Sequence, residues 1–254
     1  MNGRTFYSAG HTDALDYAVK ELRRKGCHVV QDPVQSVTHL MLGVPSFETD
    51  GCLKGGGDLQ EVLNKLPKEI TVFGGNLQHP ALGGYKTVDL LQDPLYLAEN
   101  AGITAHCALK LAMSKLPVTL QGCHVLVIGW GRIGKCLADL LKQLGAVVTV
   151  AARKETDRAL LLALGYDAED STALGYGLLR YRIIFNTVPV MVLPEDAVQY
   201  CRPECLKIDL ASAPGIKGND VIWARGLPNK DAPESSGELI ARSVLRLSEN
   251  PGKE

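Results

Sequence analysis

The stretch VLVIGWGRIGK, residues 125–135, constrains the fold most, because three glycines turn the chain directly after an apolar run. Gly129, Gly131 and Gly134 have GxGxxG spacing, and their flanks give that spacing its meaning. CHVLVIG reads as a buried strand, the segment from Arg132 to Leu144 has helical apolar spacing and stops at Gly145, and VVTVAAR follows as a second strand. A glycine corner inside such a βαβ unit is built for a dinucleotide. Gly129 makes the turn, Gly131 lets a pyrophosphate approach the backbone, and Gly134 lets helix and strand pack closely. The amides that open the helix, at Arg132 and Ile133, attract the phosphates. A corner used only for packing is the alternative. Trp130 lies inside the loop, either beside the path of the cofactor or covering the loop from outside.

The end of the second strand distinguishes the dinucleotides, since an acid there binds the free ribose hydroxyls. Here the strand ends in Arg153 and Lys154, and the first carboxylate is Glu155. Two cations attract a 2′-phosphate, so NADP(H) is expected over NAD(H). Ligands of open α/β sheets bind beyond the carboxyl ends of the strands. RIIFNTV and LKIDLAS end there, at Asn186, Thr187, Val188 and Pro189 and at Asp209 and Ala211. Asn186 and Thr187 have the groups to bond the ribose or carboxamide. Asp209 has two readings of equal weight, a catalytic carboxylate beside the cofactor or a loop acid capping nearby amides.

The first part of the chain has its own α/β pattern. TFYSAG, CHVVQD, THLMLGV and EITVFGG are short apolar runs, each closed by glycine, proline or polar residues. DALDYAVKELRRKG sets Leu15, Ala18, Val19 and Leu22 on one helical face and stops at Gly26, while Asp58 caps a helix opened by Gly55 to Gly57. The expected organisation is a flavodoxin-like α/β domain over 1–95, a connecting helix and Rossmann domain over 96–234, and a C-terminal helix and tail over 235–254. Leu109, Ala112, Met113 and Leu116 form the apolar stripe of the connecting helix. The C-terminal helix offers Leu239, Ile240, Val244, Leu245 and Leu247 for burial, either against the first domain or in a homo-oligomer.

Charge narrows the partners. Lys plus Arg (27) nearly cancels Asp plus Glu (28), which removes the attraction to nucleic acid or anionic lipid and leaves small molecules. No apolar stretch approaches the roughly 20 residues of a membrane span, and the first residues lack a basic leader, so a cytoplasmic location is expected. The seven cysteines are scattered, and the CxxxC of Cys201 and Cys205 lacks a second ligand pair, so no metal site is expected.

Three segments give the chain a resemblance to the A-subunit of dipicolinate synthase from endospore-forming bacteria: NAGITAHCALKLAM, the nucleotide motif through VVTVAARK, and IDLASAPG with GLPNKDAPESSGELIA. The resemblance implies a flavodoxin-like domain joined to a Rossmann domain. It also implies oxidation of dihydrodipicolinate to dipicolinate with a nicotinamide cofactor during sporulation, NADP by the reading of Arg153 and Lys154, with a flavoprotein-like B-subunit for its partner. The family's DLASxPGG reads DLASAPGI here, its GLPG reads GLPN, and His106 stands where a Glu is expected.

Aromatising a dihydropyridine requires a hydride acceptor, a proton acceptor and cations for two carboxylates. His106 is the candidate proton acceptor, against the alternative of a packed or surface residue on a helix. Arg225 and His11 are the candidates for the diacid, with Lys217 and Lys230 in the same class of loop. Two other functions compete. A D-2-hydroxyacid dehydrogenase has the same glycine corner, yet it expects a late catalytic histidine and none follows His124. A non-catalytic cofactor-binding partner of the B-subunit needs only the corner.

Overall fold

The computed structural model describes residues 3–249, and 250–254 of the expected C-terminal segment lie outside them. The chain divides into two compact units, one made by residues up to Asn100 together with those from Pro228 on, the other by Ala101–Leu227.

In the first unit, β1 (Thr5–Ser8), α1 (Asp13–Arg24), β2 (His28–Val29), β3 (His39–Met41), α2 (Leu59–Leu63), β4 (Thr71–Gly74) and β5 (Lys86–Asp89) follow in order. Their strands form a parallel sheet in the order β2-β1-β3-β4-β5, the flavodoxin-like arrangement. Local chemistry sets the helix ends. The Thr12 hydroxyl accepts the Leu15 amide at 3.1 Å to start α1, and Asp58 accepts the Gln60 amide at 2.7 Å to start α2. Ala14, Leu15, Ala18 and Leu22 are the buried face of α1.

α3 (Pro94–Lys115) begins in the first unit and continues into the second. Leu109 and Ala112 are buried as their spacing requires, whereas Met113 is 56% exposed. Successive helix positions lie about 100° apart, so Met113 turns out of the stripe its neighbour joins.

The second unit continues with β6 (His124–Ile128), α4 (Arg132–Gln143), β7 (Val147–Ala152), α5 (Glu155–Ala163), β8 (Asp167–Asp170), β9 (Ile183–Asn186), α6 (Glu195–Val198), β10 (Leu206–Asp209) and β11 (Val221–Trp223). Their parallel sheet has the order β11-β10-β9-β6-β7-β8, which is the Rossmann order. Val125, Leu126, Val127 and Ile128 are all fully buried, as expected of a central strand covered on both faces.

α7 (Leu227–Asp231) leads back to the first unit, where α8 (Pro233–Glu249) packs on α1. Gly237 permits that approach, since a Cβ there would stand 2.4 Å from the Tyr17 Cβ and 2.5 Å from the Ala14 carbonyl. Leu239, Ile240 and Val244 are buried on this face.

Candidate functional site

The Rossmann sheet reverses its winding between β6 and β9, and the glycine corner stands at that point. Gly129 has φ +105°, and a Cβ on it would meet the Thr187 hydroxyl at 2.4 Å. A Cβ on Gly134 would lie 2.1 Å from the Gly129 carbonyl, so the helix start and the turn exclude any side chain there. Gly131 differs from both: nothing lies within 4 Å of where its Cβ would be. The corner is therefore closed against the protein and open toward the cleft at the residue where a pyrophosphate needs access.

That cleft has a volume of about 780 Å³. Gly129, Trp130 and Gly131 form one part of its lining, Ala152, Arg153 and Lys154 at the end of β7 another, and Ser171 and Thr172 after β8 a third. Arg153 and Lys154 are exposed, and neither makes a salt bridge among the described residues. Their turn is held from behind. Arg158 donates to the carbonyls of Ala152 at 2.9 Å and Arg153 at 2.8 Å, and pairs with Asp170 at 3.1 Å. The Thr172 hydroxyl and amide, followed by Arg158, keep the Asp170 carboxyl below its ordinary range. A group carrying negative charge thus finds Arg153 and Lys154 exposed at the cleft, with no salt bridge to either among the described residues.

Beyond β9 and β10 lies a closed polar knot. The ladder sets Asp209 opposite Asn186. The Asp209 carboxylate accepts four bonds, from Asn186 Nδ2 at 2.9 Å, Ala211 N at 3.0 Å, Gly215 N at 2.7 Å and Ile216 N at 3.1 Å. Four donors fill the capacity of a carboxylate. Asp209 is only 1% exposed, and its carboxylate caps loop amides in this arrangement. Asn186 is 0% exposed and its amide is committed inside the protein, with Nδ2 also donating to the Val188 carbonyl and Oδ1 accepting the Val188 amide, both at 2.9 Å. In this arrangement the Asn186 amide, expected to bond the ribose or carboxamide, organises the loop. Gly215 completes the knot, because a Cβ there would come within 2.4 Å of Asn186 Nδ2 and 2.5 Å of the Val190 carbonyl.

The remaining sequence candidates are dispersed. Thr187 donates its hydroxyl to the Ile128 carbonyl at 2.9 Å and so ties β9 to the glycine corner, while Val188 lines the cleft and Pro189 is exposed. Arg132 and Ile133 occupy the first turn of α4, Arg132 exposed and Ile133 half-buried. The Trp130 ring meets Tyr166 edge-on at 5.8 Å and has the Lys135 ammonium 5.6 Å from its centre, while its indole N–H is buried without a partner among the described residues. Trp130 therefore both lines the cleft and covers the corner. Arg225 is exposed and stacks on Trp223 at 5.3 Å, Trp223 in turn donating to the Ala211 carbonyl at 3.0 Å. Lys217 is exposed, as is His106 on α3. His11 and Lys230 belong to the other unit, where His11 is 3.3 Å from Asp16. Sequence reasoning missed Ser171, Thr172, Asp157 and Met191, which also line the cleft. The one signal for the first two is their place after the third strand of a βαβαβ half, which required recognising β8.

No protein-family model matches the chain. It is similar to the A-subunit of dipicolinate synthase from Bacillus subtilis (strain 168), with 27% identity over 240 residues spanning 87% of this chain and 81% of that protein. The solved structure of the corresponding dipicolinate synthase A-subunit from Bacillus halodurans has a TM-score of 0.86 at 20% identity, covering 98% of this chain and 99% of that one. A transhydrogenase from Sinorhizobium meliloti has a TM-score of 0.73 at 13% identity, covering 97% and 93%. The resemblance read from segments in the second half therefore extends along most of the chain, and the two structures show the same fold.

Proposed function

We propose that the chain is an NADP-dependent oxidoreductase of the same kind as the dipicolinate synthase A-subunit, oxidising dihydrodipicolinate to dipicolinate with a flavoprotein like the B-subunit for its partner. One observation carries the cofactor reading: the open backbone at Gly131 faces the same cleft as Arg153 and Lys154. The residues fit the group. The amides of Arg132 and Ile133 at the start of α4 would hold the pyrophosphate, with the macrodipole of a 12-residue helix behind them. Arg153 and Lys154 would take a 2′-phosphate, and Thr187, Val188 and Pro189 would flank the nicotinamide half. A bound nicotinamide supplies hydride transfer. The protein's share is positioning, and Asp209, Asn186 and Gly215 supply it by fixing the loops after β9 and β10. Ala211, whose amide is held by Asp209 and whose carbonyl accepts Trp223, extends that fixed backbone. His106 is the proposed proton acceptor, and Arg225 and His11 are the proposed carboxylate ligands.

The reading is tested by titrating the protein with NADPH and NADH, followed by tryptophan fluorescence and calorimetry. NADPH should bind more tightly, and Trp130→Phe should remove most of the fluorescence change without removing the heat. If neither nucleotide binds by either method, the reading fails. A second reading, a cofactor-binding partner of the B-subunit without chemistry of its own, is favoured by the commitment of Asp209 to loop amides. His106→Gln in the assembled pair separates the two, since it slows turnover only if this chain contributes the proton acceptor.

A further inference from the structure

At the end of β10 remote from Asp209 the chain carries two cysteines around a tight turn. The Cys201 amide donates to the Val198 carbonyl at 2.9 Å, finishing α6. Residues 202–205 then turn, closed by the Cys205 amide on the Arg202 carbonyl at 3.0 Å, with Pro203 at the second position, where its fixed φ suits the turn. The reversal leaves Cys201 and Cys205 flanking the turn. Cys205 belongs to the buried cluster of Leu126, Ile184 and Leu193, and Cys201 packs on the rim of that cluster. Cys205 is 4% exposed, while Cys201 is half-buried. Beside them Lys207 is 2% exposed, its ammonium 2.7 Å from Asp220 and 3.2 Å from the Cys205 carbonyl.

The two thiols are unequal. The Cys205 S–H donates to the Leu206 carbonyl at 3.9 Å, and across the turn the two thiols stand near enough to act on each other. Their hydrogen bond, aided by the Lys207 charge, lowers the Cys201 thiol against the opposing effects of burial and Asp220. The same hydrogen bond, then burial and the Cys201 charge, push Cys205 up. A half-buried thiol held below its ordinary range beside a buried one pushed up matches the division of labour between an attacking and a resolving cysteine.

We propose that Cys201 and Cys205 form a reversible redox site, oxidised to a disulfide by small-molecule disulfides of the glutathione class. The Cys201 thiolate forms a bond to one sulfur of the reagent as the reagent's S–S bond breaks, and the departing thiolate takes up the proton that Cys201 has lost. Cys205 then gives up its proton and its sulfur attacks the Cys201 sulfur, releasing the second small thiol, which takes up that proton. Two protein thiols are oxidised and one small disulfide is reduced to two thiols.

The test is incubation of the full chain with oxidised glutathione, alkylation of the remaining thiols and peptide mass mapping. The wild type should lose two of its seven alkylatable thiols, with the peptides carrying 201 and 205 joined and lighter by two hydrogens. Cys205→Ser should stop with glutathione on Cys201, and Cys201→Ser should leave Cys205 unmodified. A limiting dose of iodoacetamide at neutral pH should label Cys201 before the more exposed Cys52, whose thiol is raised first of all by Asp50. Retention of all seven thiols after prolonged oxidation, or a disulfide mapped elsewhere, overturns the proposal. So does labelling of Cys52 ahead of Cys201.

Discussion

Replacing Asp209 by asparagine keeps the shape of the side chain and changes only what its two ends offer. All four partners of the carboxylate are donors: Asn186 Nδ2 and Ala211 N on one oxygen, Gly215 N and Ile216 N on the other. Either orientation of the new amide turns an NH₂ toward two of them. The arrangement that keeps the oxygen toward Gly215 and Ile216 and flips Asn186 leaves the Ala211 amide unpaired, removes the acceptor of the Val188 amide and takes the Asn186 donor away from the Val188 carbonyl. Two main-chain N–H groups at about 1–2 kcal/mol each give a loss of about 2–4 kcal/mol, with no cavity term because volume is conserved. At about 2–4 °C per kcal/mol for a chain of this size, the midpoint should fall by roughly 10 °C. Urea and thermal unfolding followed by circular dichroism measure the loss, and NADPH titration of the folded variant measures what the loosened loops cost in binding. A variant within about 0.5 kcal/mol of wild type that nevertheless loses turnover would refute this reasoning, because Asp209 would then act on the reaction rather than on the loops.

Arg153→Ala should weaken NADPH binding by about 10- to 100-fold, the worth of a charge-assisted contact, and leave NADH within about twofold, as calorimetry with both nucleotides would show. Gly134→Ala forces a Cβ to within 2.1 Å of the Gly129 carbonyl, so dinucleotide binding should be lost and stability should fall by about 1–3 kcal/mol in urea unfolding. His39 lies between the rings of Phe6 and Phe73, at 4.9 and 5.8 Å, and burial, then Arg4 and Lys86, lowers its pKa from 6.5 to about 4. The unfolded chain binds that proton first, so stability is full above about pH 6.5, falls as pH drops from 6.5 toward 4, and then levels off. The full shift corresponds to about 3 kcal/mol, which partial exposure reduces to about 1–2; His39→Phe should flatten that part of the pH profile in unfolding experiments.

What the sequence discloses and what it conceals divide by the range over which the geometry is encoded. Thr12 and Asp58 act on amides two or three residues away, and the glycine corner closes within one turn, so spacing alone carries them. The sheet orders follow from strands alternating with helices. β8 escapes the same reasoning because it lies at the edge of the sheet: its residues DAED lack an apolar pattern, as suits a strand with one unpaired side. With β8 unseen, Ser171 and Thr172 had no place in the site.

Asn186 shows the other limit. Its position at the carboxyl end of a strand marks it for a ligand, yet the neighbouring strand in the sheet ends in an acid at the same register, Asp209, 23 residues later, which accepts from its amide. Two strand-end polar groups brought side by side can satisfy each other, and when a Cβ-free residue such as Gly215 closes over them they leave the solvent altogether. A strand-end asparagine is thus evidence for a ligand only when its neighbour in the sheet, which is seldom its neighbour in the chain, offers it nothing. In two adjacent strands of this sheet the segments IIFN and LKID, set in register, already contain that pairing. The cations at the end of β7 pass the same test, for their neighbouring strand end, Asp170, is already committed to Arg158 and Thr172 and leaves Arg153 and Lys154 to the cleft.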